Sequence, residues 1–261
     1  MSAPAVPGYR LRRLVHRGTS FDVYDAWSDE RACPVVVKRT RPGAAAEAGR
    51  RLLREGRMLL TLTHPHIVRA YEVPQVDRPT VVLETLTGQT LDHLFDENGA
   101  LAVRDVAELG RQLASALVYL HSRGIVHGDL KPANAVNAQG LARLIDLSLA
   151  GPPRVWRSAR GTPGYVSPEQ ARREQVSPAT DVWGLGLLLL EAAADDDPYP
   201  VGDDGRYREG HGPLEAPVPL SRRRRVPARL GDLVTAMSAF DPAARPSMAH
   251  VRRELEALAE R

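Results

Sequence analysis

The segment His127-Gly128-Asp129-Leu130-Lys131-Pro132-Ala133-Asn134 gathers a carboxylate, an ammonium and a side-chain amide in a short stretch. Pro132 rules against a continuous helix here, so the segment reads as a loop. Ala135–Val136, a turn at Asn137-Ala138-Gln139-Gly140, and Leu141–Ile145 then read as a β-hairpin. Asn134 stands at one end of that hairpin and Asp146 at the other, 12 positions on. Antiparallel pairing brings such ends together. An amide oxygen and a carboxylate are hard ligands of the kind that, together with phosphates, hold Mg²⁺. Asp129 and Lys131 lie on the loop just before and are expected to face the same space. The lysine is notable for its rarity: of 35 basic residues, only Lys38 and Lys131 are lysines. A surface charge can drift from lysine to arginine at little cost. A site that needs a compact ammonium rather than a planar fork resists that drift.

The elements that must hold these groups follow from pattern. In the first third, Tyr9–Val15, Val23–Trp27, Val35–Arg39, Ile67–Val73 and Thr80–Leu86 are short β-branched runs bounded by turn residues. One helix interrupts them at Glu47–Leu60, where Leu52, Leu53, Leu59 and Leu60 form a stripe. Glu55 borders the stripe and can point inward to a partner. The remainder reads as helical. Val106, Leu109, Leu113, Leu117 and Leu120 share a face, with Gly124 at the C-cap position. Asp181–Ala194 is apolar nearly all round, as a buried helix is. Further helices are expected near Leu230–Phe240 and Met248–Leu258. The fold class is α+β, with a small antiparallel β lobe carrying one helix and a larger, mainly α-helical lobe. The boundary is expected near Thr85–Gly88, giving lobes of about 9–86 and 88–261.

Composition excludes several classes. A chain of 261 residues with 43% hydrophobic and 26% charged content can bury a core and is not wholesale disordered. One cysteine, Cys33, excludes an intramolecular disulfide and a Cys-based structural zinc site. No apolar run approaches the roughly 20 residues of a membrane span. Met1–Arg13 lacks a signal-peptide core, so the expected location is the cytoplasm. The net charge of +3 is spread along the chain. The run Arg222–Arg225 between Pro219 and Pro227 reads as a solvated loop; without interleaved aromatics it does not indicate nucleic-acid binding.

These motifs, in order from about Tyr9 to His250, resemble the bacterial eukaryotic-like serine/threonine protein kinases. Val35-Val36-Val37-Lys38 is similar to the strand whose lysine grips the α/β-phosphates. Glu55, 17 residues on, resembles the helix glutamate that pairs with it. Val82-Leu83-Glu84-Thr85-Leu86 resembles the hinge. Asp146-Leu147-Ser148 stands where Asp-Phe-Gly is expected. Gly161-Thr162-Pro163-Gly164-Tyr165-Val166-Ser167-Pro168-Glu169 resembles the end of an activation segment. Arg245, in Asp241-Pro242-Ala243-Ala244-Arg245-Pro246, is implied to pair with Glu169.

The resemblance implies one protein kinase domain over 1–261 that transfers the γ-phosphate of ATP to a Ser/Thr hydroxyl of a protein. It implies catalytic roles for Asp129 as the base, Lys131 at the γ-phosphate, and Lys38 held by Glu55. Asn134 and Asp146 would hold two Mg²⁺, with Mn²⁺ able to substitute. Val15, Gly18, Val23 and Val36 would cover the nucleotide, with Leu83 behind it and Val136 beneath. Backbone groups of Glu84 and Leu86 would bind the adenine. Thr162 is expected to join Asp129 and Lys131, the pattern of Ser/Thr-specific members. His127 is expected to pack under the loop. The implied partner is a protein substrate; a regulator is expected to be a separate regulatory protein or neighbouring residues of the same fold, and neither nucleic acid nor membrane is an expected partner.

Three positions depart from the family. Only Gly18 survives of the G-x-G-x-x-G loop, which here is His16-Arg17-Gly18-Thr19-Ser20-Phe21. Gly128 replaces the arginine that binds a phosphorylated activation loop, which argues against a switch at Ser158 or Thr162 that requires such a phosphate. Ser148 replaces a glycine. The region Asp203–Gly212 lacks the apolar anchors of a docking helix. Two alternatives stay open: a nucleotide-binding pseudokinase, favoured by the eroded loop, and a small-molecule kinase of the aminoglycoside phosphotransferase kind, which also carries His-Gly-Asp.

Overall fold

The computed structural model describes residues 6–155, 161–199, 201–202 and 215–260. Ser158 and Asp203–Gly212 lie outside the described residues. The chain divides into two compact units, Met1–Thr87 and Gly88–Arg261.

The first unit is a five-stranded antiparallel sheet with one helix. Its elements are β1 (Tyr9–Arg17), β2 (Phe21–Ser28), β3 (Cys33–Thr40), α1 (Ala46–Leu59), β4 (Ala70–Glu72) and β5 (Thr80–Glu84), in the spatial order β1-β2-β3-β5-β4. Because successive strand residues face opposite sides, the register sorts the side chains into two sets. Val35 and Val37 join Val6, Tyr9, Ala26 and Val82 in a buried cluster on one face. The pairs Val23↔Lys38, Lys38↔Val81 and Val36↔Leu83 put the other set on the opposite face. Helix α1 packs on that second face. Its Gly56 lies so close to the sheet that a Cβ there would come 2.5 Å from Val81 Cγ2 and 2.7 Å from Val73 Cγ2. The expected strand Ile67–Val73 is shorter than predicted. A turn closed by Ile67 N–H on His64 O at 3.1 Å takes its start, and the ladder begins only at Ala70. The strand expected to run to Leu86 ends at Glu84.

The second unit contains β6 (Gln89–Thr90), α2 (Leu91–Asn98), α3 (Val103–Ser122), β7 (Ala135–Ala138), β8 (Leu141–Leu144), β9 (Arg154–Val155), α4 (Pro168–Ala171), β10 (Gln175–Val176), α5 (Pro178–Ala194), α6 (Leu220–Arg223), α7 (Ala228–Met237) and α8 (Met248–Ala259). Short 3₁₀ turns at Pro132–Asn134 and Pro242–Ala244 complete it. Strands β6, β7 and β8 form one small sheet, and β9 and β10 a second. Helix α5 is the core: Val182, Trp183, Leu185 and Leu187–Leu190 are all buried, and Ser177 caps its start. Helix α3 ends as expected. Gly124, at φ +68°, donates to His121 O, and Ile125 donates to Leu120 O, the paired bonds of a Schellman cap.

The Arg222–Arg225 run is not the solvated loop expected. Arg222 and Arg223 lie in α6. Arg223 donates to Asp196 Oδ2 at 2.6 Å and to the carbonyl of Asp197 at 2.9 Å. Arg224 donates to the carbonyls of Leu101 at 2.6 Å and Ala193 at 2.9 Å. Half of the run therefore satisfies orphan carbonyls around the end of α5, which a helix terminus otherwise leaves to water.

Replacing an exposed helical glycine by alanine normally stabilises by about 1 kcal/mol. Gly56→Ala is expected to do the reverse, costing about 1–3 kcal/mol in denaturant unfolding, because the added methyl must push α1 off Val81 and Val73.

Candidate active site

In the first unit, Lys38 and Glu55 meet. Lys38 Nζ lies 3.1 Å from Glu55 Oε1 and 3.0 Å from Oε2. Lys38 is 7% exposed and Glu55 1%. Strand parity aims the lysine at α1, and the close approach of Gly56 brings the helix within its reach. Phe21 was not foreseen. It shares the Lys38 face, and its ring centroid lies 5.4 Å from Lys38 Nζ, within cation–π range. Val23, Val36 and Leu83 line the same face by register. Val15 does not share it in the same way: it falls at the bulge between Leu14 and His16 and is 51% exposed, so His16 is the residue opposite Val23. Gly18 follows β1 in the turn to β2. The N–H of Glu84 donates to Arg69 O at 3.0 Å, so that amide is committed within the first unit. Leu86 lies just past β5 and is half-buried.

In the second unit, the hairpin is as expected. Strands β7 and β8 turn at Gln139 and Gly140, with φ +55° and +87°, the two left-handed positions of a type I′ turn. At the open end, Ile145 N–H donates to Asn134 O at 3.0 Å, which brings Asp146 beside Asn134. Gln112, also unforeseen, ties the turn to α3. Its Oε1 accepts from Ala142 N–H at 2.7 Å, and its Nε2 donates to Gly140 O at 3.1 Å. Val136 is buried in β7.

The loop before the hairpin carries a continuous chain of hydrogen bonds. Lys131 Nζ donates to Thr162 Oγ1 at 2.7 Å, and that hydroxyl donates to Asp129 Oδ1 at 3.0 Å. Asn134 Nδ2 donates to Asp129 O at 2.8 Å and to Asp129 Oδ2 at 3.2 Å. The loop itself is held by Asp181, 1% exposed. One Asp181 oxygen accepts from Gly128 N–H at 2.8 Å. The other accepts from His127 N–H at 2.8 Å and contacts His121 Nε2 at 2.7 Å. Gly128 has φ +75°, a conformation that glycine adopts at far less cost than arginine. Its carbonyl accepts from Gln170 Nε2 at 2.8 Å. His127 is buried under the loop as expected, its Nδ1 facing the Asp129 N–H.

With the Asn134 amide nitrogen committed to Asp129, its oxygen is the side available to a ligand. Asp146 Oδ1 accepts from Ser148 N–H at 2.8 Å. Among the described residues no group of three or more His, Cys, Asp or Glu could hold a metal. An ion at Asn134 and Asp146 must therefore complete its shell with other oxygens, and two hard ligands of this kind fit Mg²⁺ shared with phosphates.

Farther along, Arg245 and Glu169 form the expected pair. Nη1 meets Oε1 at 2.8 Å and Nη2 meets Oε2 at 2.9 Å, with Thr180 Oγ1 donating to Oε1 at 2.8 Å. Burial alone would raise the Glu169 pKa; the Arg245 fork overcomes it and holds the carboxyl below its usual range.

The family profile described as Protein kinase domain matches residues 9–255. The chain belongs to the protein kinase family. Serine/threonine-protein kinase PkaA of Streptomyces coelicolor is 31% identical, the match covering 98% of this chain and 51% of that protein. Serine/threonine-protein kinase PknB of Mycolicibacterium smegmatis is 32% identical over 82% of this chain and 37% of its own length. Serine/threonine-protein kinase PknD of Mycobacterium tuberculosis is 30% identical over 91% of this chain and 37% of its own length. This kinase domain thus spans about half or less of these curated relatives. Among the described residues, no helix is long and apolar enough to cross a membrane.

Two predictions follow from the buried charges of the kinase domain. Arg245→Met should cost about 3–5 kcal/mol, because Glu169 is left buried and unpaired; adding Glu169→Leu should recover part of the loss in chemical denaturation. Glu191 offers a pH test. Burial raises its pKa to about 8, helped by Asp197, Asp92 and Asp96, while the hydrogen bond from Tyr165 opposes the rise. A carboxyl whose folded pKa is raised favours the fold below its unfolded pKa of 4.5 and loses that contribution as pH climbs to about 8. Melting temperature should fall over that window, and Glu191→Gln should flatten the fall.

Proposed function

We propose that this chain transfers the γ-phosphate of ATP to a Ser or Thr hydroxyl of a protein substrate. The observation that carries the proposal is the Lys131–Thr162–Asp129 chain, with contacts of 2.7 and 3.0 Å, beside the Asn134 amide. Phosphoryl transfer asks little covalent work of a protein; positioning and charge stabilisation do most of it. Asp129 orients the acceptor hydroxyl and takes its proton at a carboxylate oxygen. Lys131 offsets charge on the phosphoryl group in flight. Lys38, aimed by Glu55, holds the α/β-phosphates. Gly18, Val23, Val36, Leu83 and Val136, with the backbone of Glu84 and Leu86, take the rest of the nucleotide. Asn134 and Asp146 hold Mg²⁺, or Mn²⁺ in its stead, which neutralises phosphate charge when bound. Thr162 favours a Ser/Thr acceptor, since its hydroxyl already joins both catalytic side chains. A cytoplasmic setting suits the unpaired Cys33. Arg223 and Arg224 have intramolecular partners, which argues against nucleic acid as a ligand of that run.

The eroded glycine loop favours the second reading, a pseudokinase that binds nucleotide without transfer. Incubation with γ-labelled ATP, Mg²⁺ and a generic basic protein separates the two. The enzyme reading expects label on protein serine or threonine, reduced about 10²- to 10⁴-fold in Asp129→Asn. Lys38→Arg keeps the charge and should still lose most turnover, because a planar guanidinium does not fit the ammonium's place against Glu55. Nucleotide binding without transfer would establish the pseudokinase, and label on a small metabolite alone would establish a small-molecule kinase.

A further inference from the structure

The turn between β1 and β2 has lost two of the three glycines of the family loop, and it is held from outside. Gly18 N–H donates to Phe21 O at 2.9 Å and closes the turn. Arg41, the first residue past β3, grips it twice: its Nη1 donates to Gly18 O at 3.1 Å, and its own N–H donates to Ser20 O at 2.9 Å. The same guanidinium has Nε 3.8 Å from Asp22 Oδ1, and Arg17 Nε lies 3.7 Å from that oxygen. Asp22 is 6% exposed; its Oδ2 accepts from the Tyr24 hydroxyl at 3.4 Å, while Oδ1 accepts no hydrogen bond and faces these two guanidiniums. Asp22 stands opposite Arg39 in the register, on the sheet face away from Lys38. The grip therefore comes from behind the turn and leaves the Lys38 face open to a phosphate.

We propose that Arg41 is a positioning residue for nucleotide binding. Its bridge from buried Asp22 to the Gly18 carbonyl holds the turn in the shape that presents the Thr19 and Ser20 amides to phosphate oxygens. The proposal rests on the nucleotide-binding reading above. A loop of three glycines must be ordered each time it closes on a phosphate; here the chain orders the turn before the ligand arrives, so less conformational entropy is lost on binding. An exposed ion pair alone contributes little. This contact differs because it joins a backbone carbonyl to a buried carboxylate whose Oδ1 accepts no hydrogen bond and has, besides Arg41, the Arg17 guanidinium beside it.

The test compares Arg41→Ala, Arg41→Lys and Arg13→Ala for KM of ATP, kcat, and amide hydrogen exchange over residues 17–21. Arg13 pairs with Asp25 at 2.8 Å across the same two strands without touching the turn. Arg41→Ala should raise KM for ATP about three- to tenfold with kcat within about twofold of wild type, and should speed exchange at Gly18. Arg41→Lys should restore part of the KM, and Arg13→Ala should change neither readout. An unchanged Gly18 exchange rate in Arg41→Ala overturns the bridge. An unchanged KM, or an equal rise in Arg13→Ala, overturns its role in binding. A wild-type chain that binds no ATP in equilibrium dialysis overturns the nucleotide reading, and with it the phosphate half of this proposal; the exchange data still judge the bridge.

Discussion

Asp181 is a buried carboxylate whose three partners all belong to, or lead into, the loop that carries Asp129. It accepts from two consecutive backbone amides, His127 and Gly128, and meets the His121 ring from the end of α3. Burying a carboxylate is costly unless its oxygens are hydrogen-bonded, and here both are. The carboxylate stands in the first turn of α5, the most buried helix of its unit, so the loop inherits the rigidity of the core. Each further contact builds on that anchor. Gly128 can follow the left-handed path that the two amides impose, Gln170 holds its carbonyl from α4, and Asp129 then meets Asn134 and Thr162. The Arg245–Glu169 fork fixes α4 in turn.

The first unit solves its positioning problem by parity rather than by a buried anchor. Lys38 sits one residue past Val37, so the strand that buries Val35 and Val37 on one face must turn Lys38 to the other. A one-residue slip would exchange the two sets. The same register carries Val23, Val36 and Leu83 to the Lys38 side, and a glycine at position 56 lets α1 come near enough for Glu55 to reach.

Features governed by local rules were legible in the sequence. Turn residues announced the hairpin, and the spacing of Asn134 and Asp146 made them its ends. Helical periodicity put Glu55 at the edge of an apolar stripe, and Gly124 marked the cap of α3. Features that depend on long-range carbonyls or amides were not legible. Nothing near Arg223 or Arg224 in the chain indicates that their acceptors are the carbonyls of Leu101, Ala193 and Asp197, so four arginines read as a solvated run. Gln112, Gln170 and Arg41 act on backbone groups 23 to 42 positions away, and no motif marks such bonds. The strand at Ile67–Val73 misled for a related reason. Ile67 and Val68 are buried, but a turn at His64–Ile67 delays the ladder.

The dependence of catalysis on the Asp181 anchor is open to one direct measurement: turnover at saturating ATP in Asp181→Asn, with nucleotide affinity measured in parallel. The substitution keeps the side chain's shape but leaves one oxygen where two accept the His127 and Gly128 amides. If the anchor sets the loop, turnover should fall about 10²-fold or more while ATP affinity changes little. Turnover within a fewfold of wild type would contradict the account.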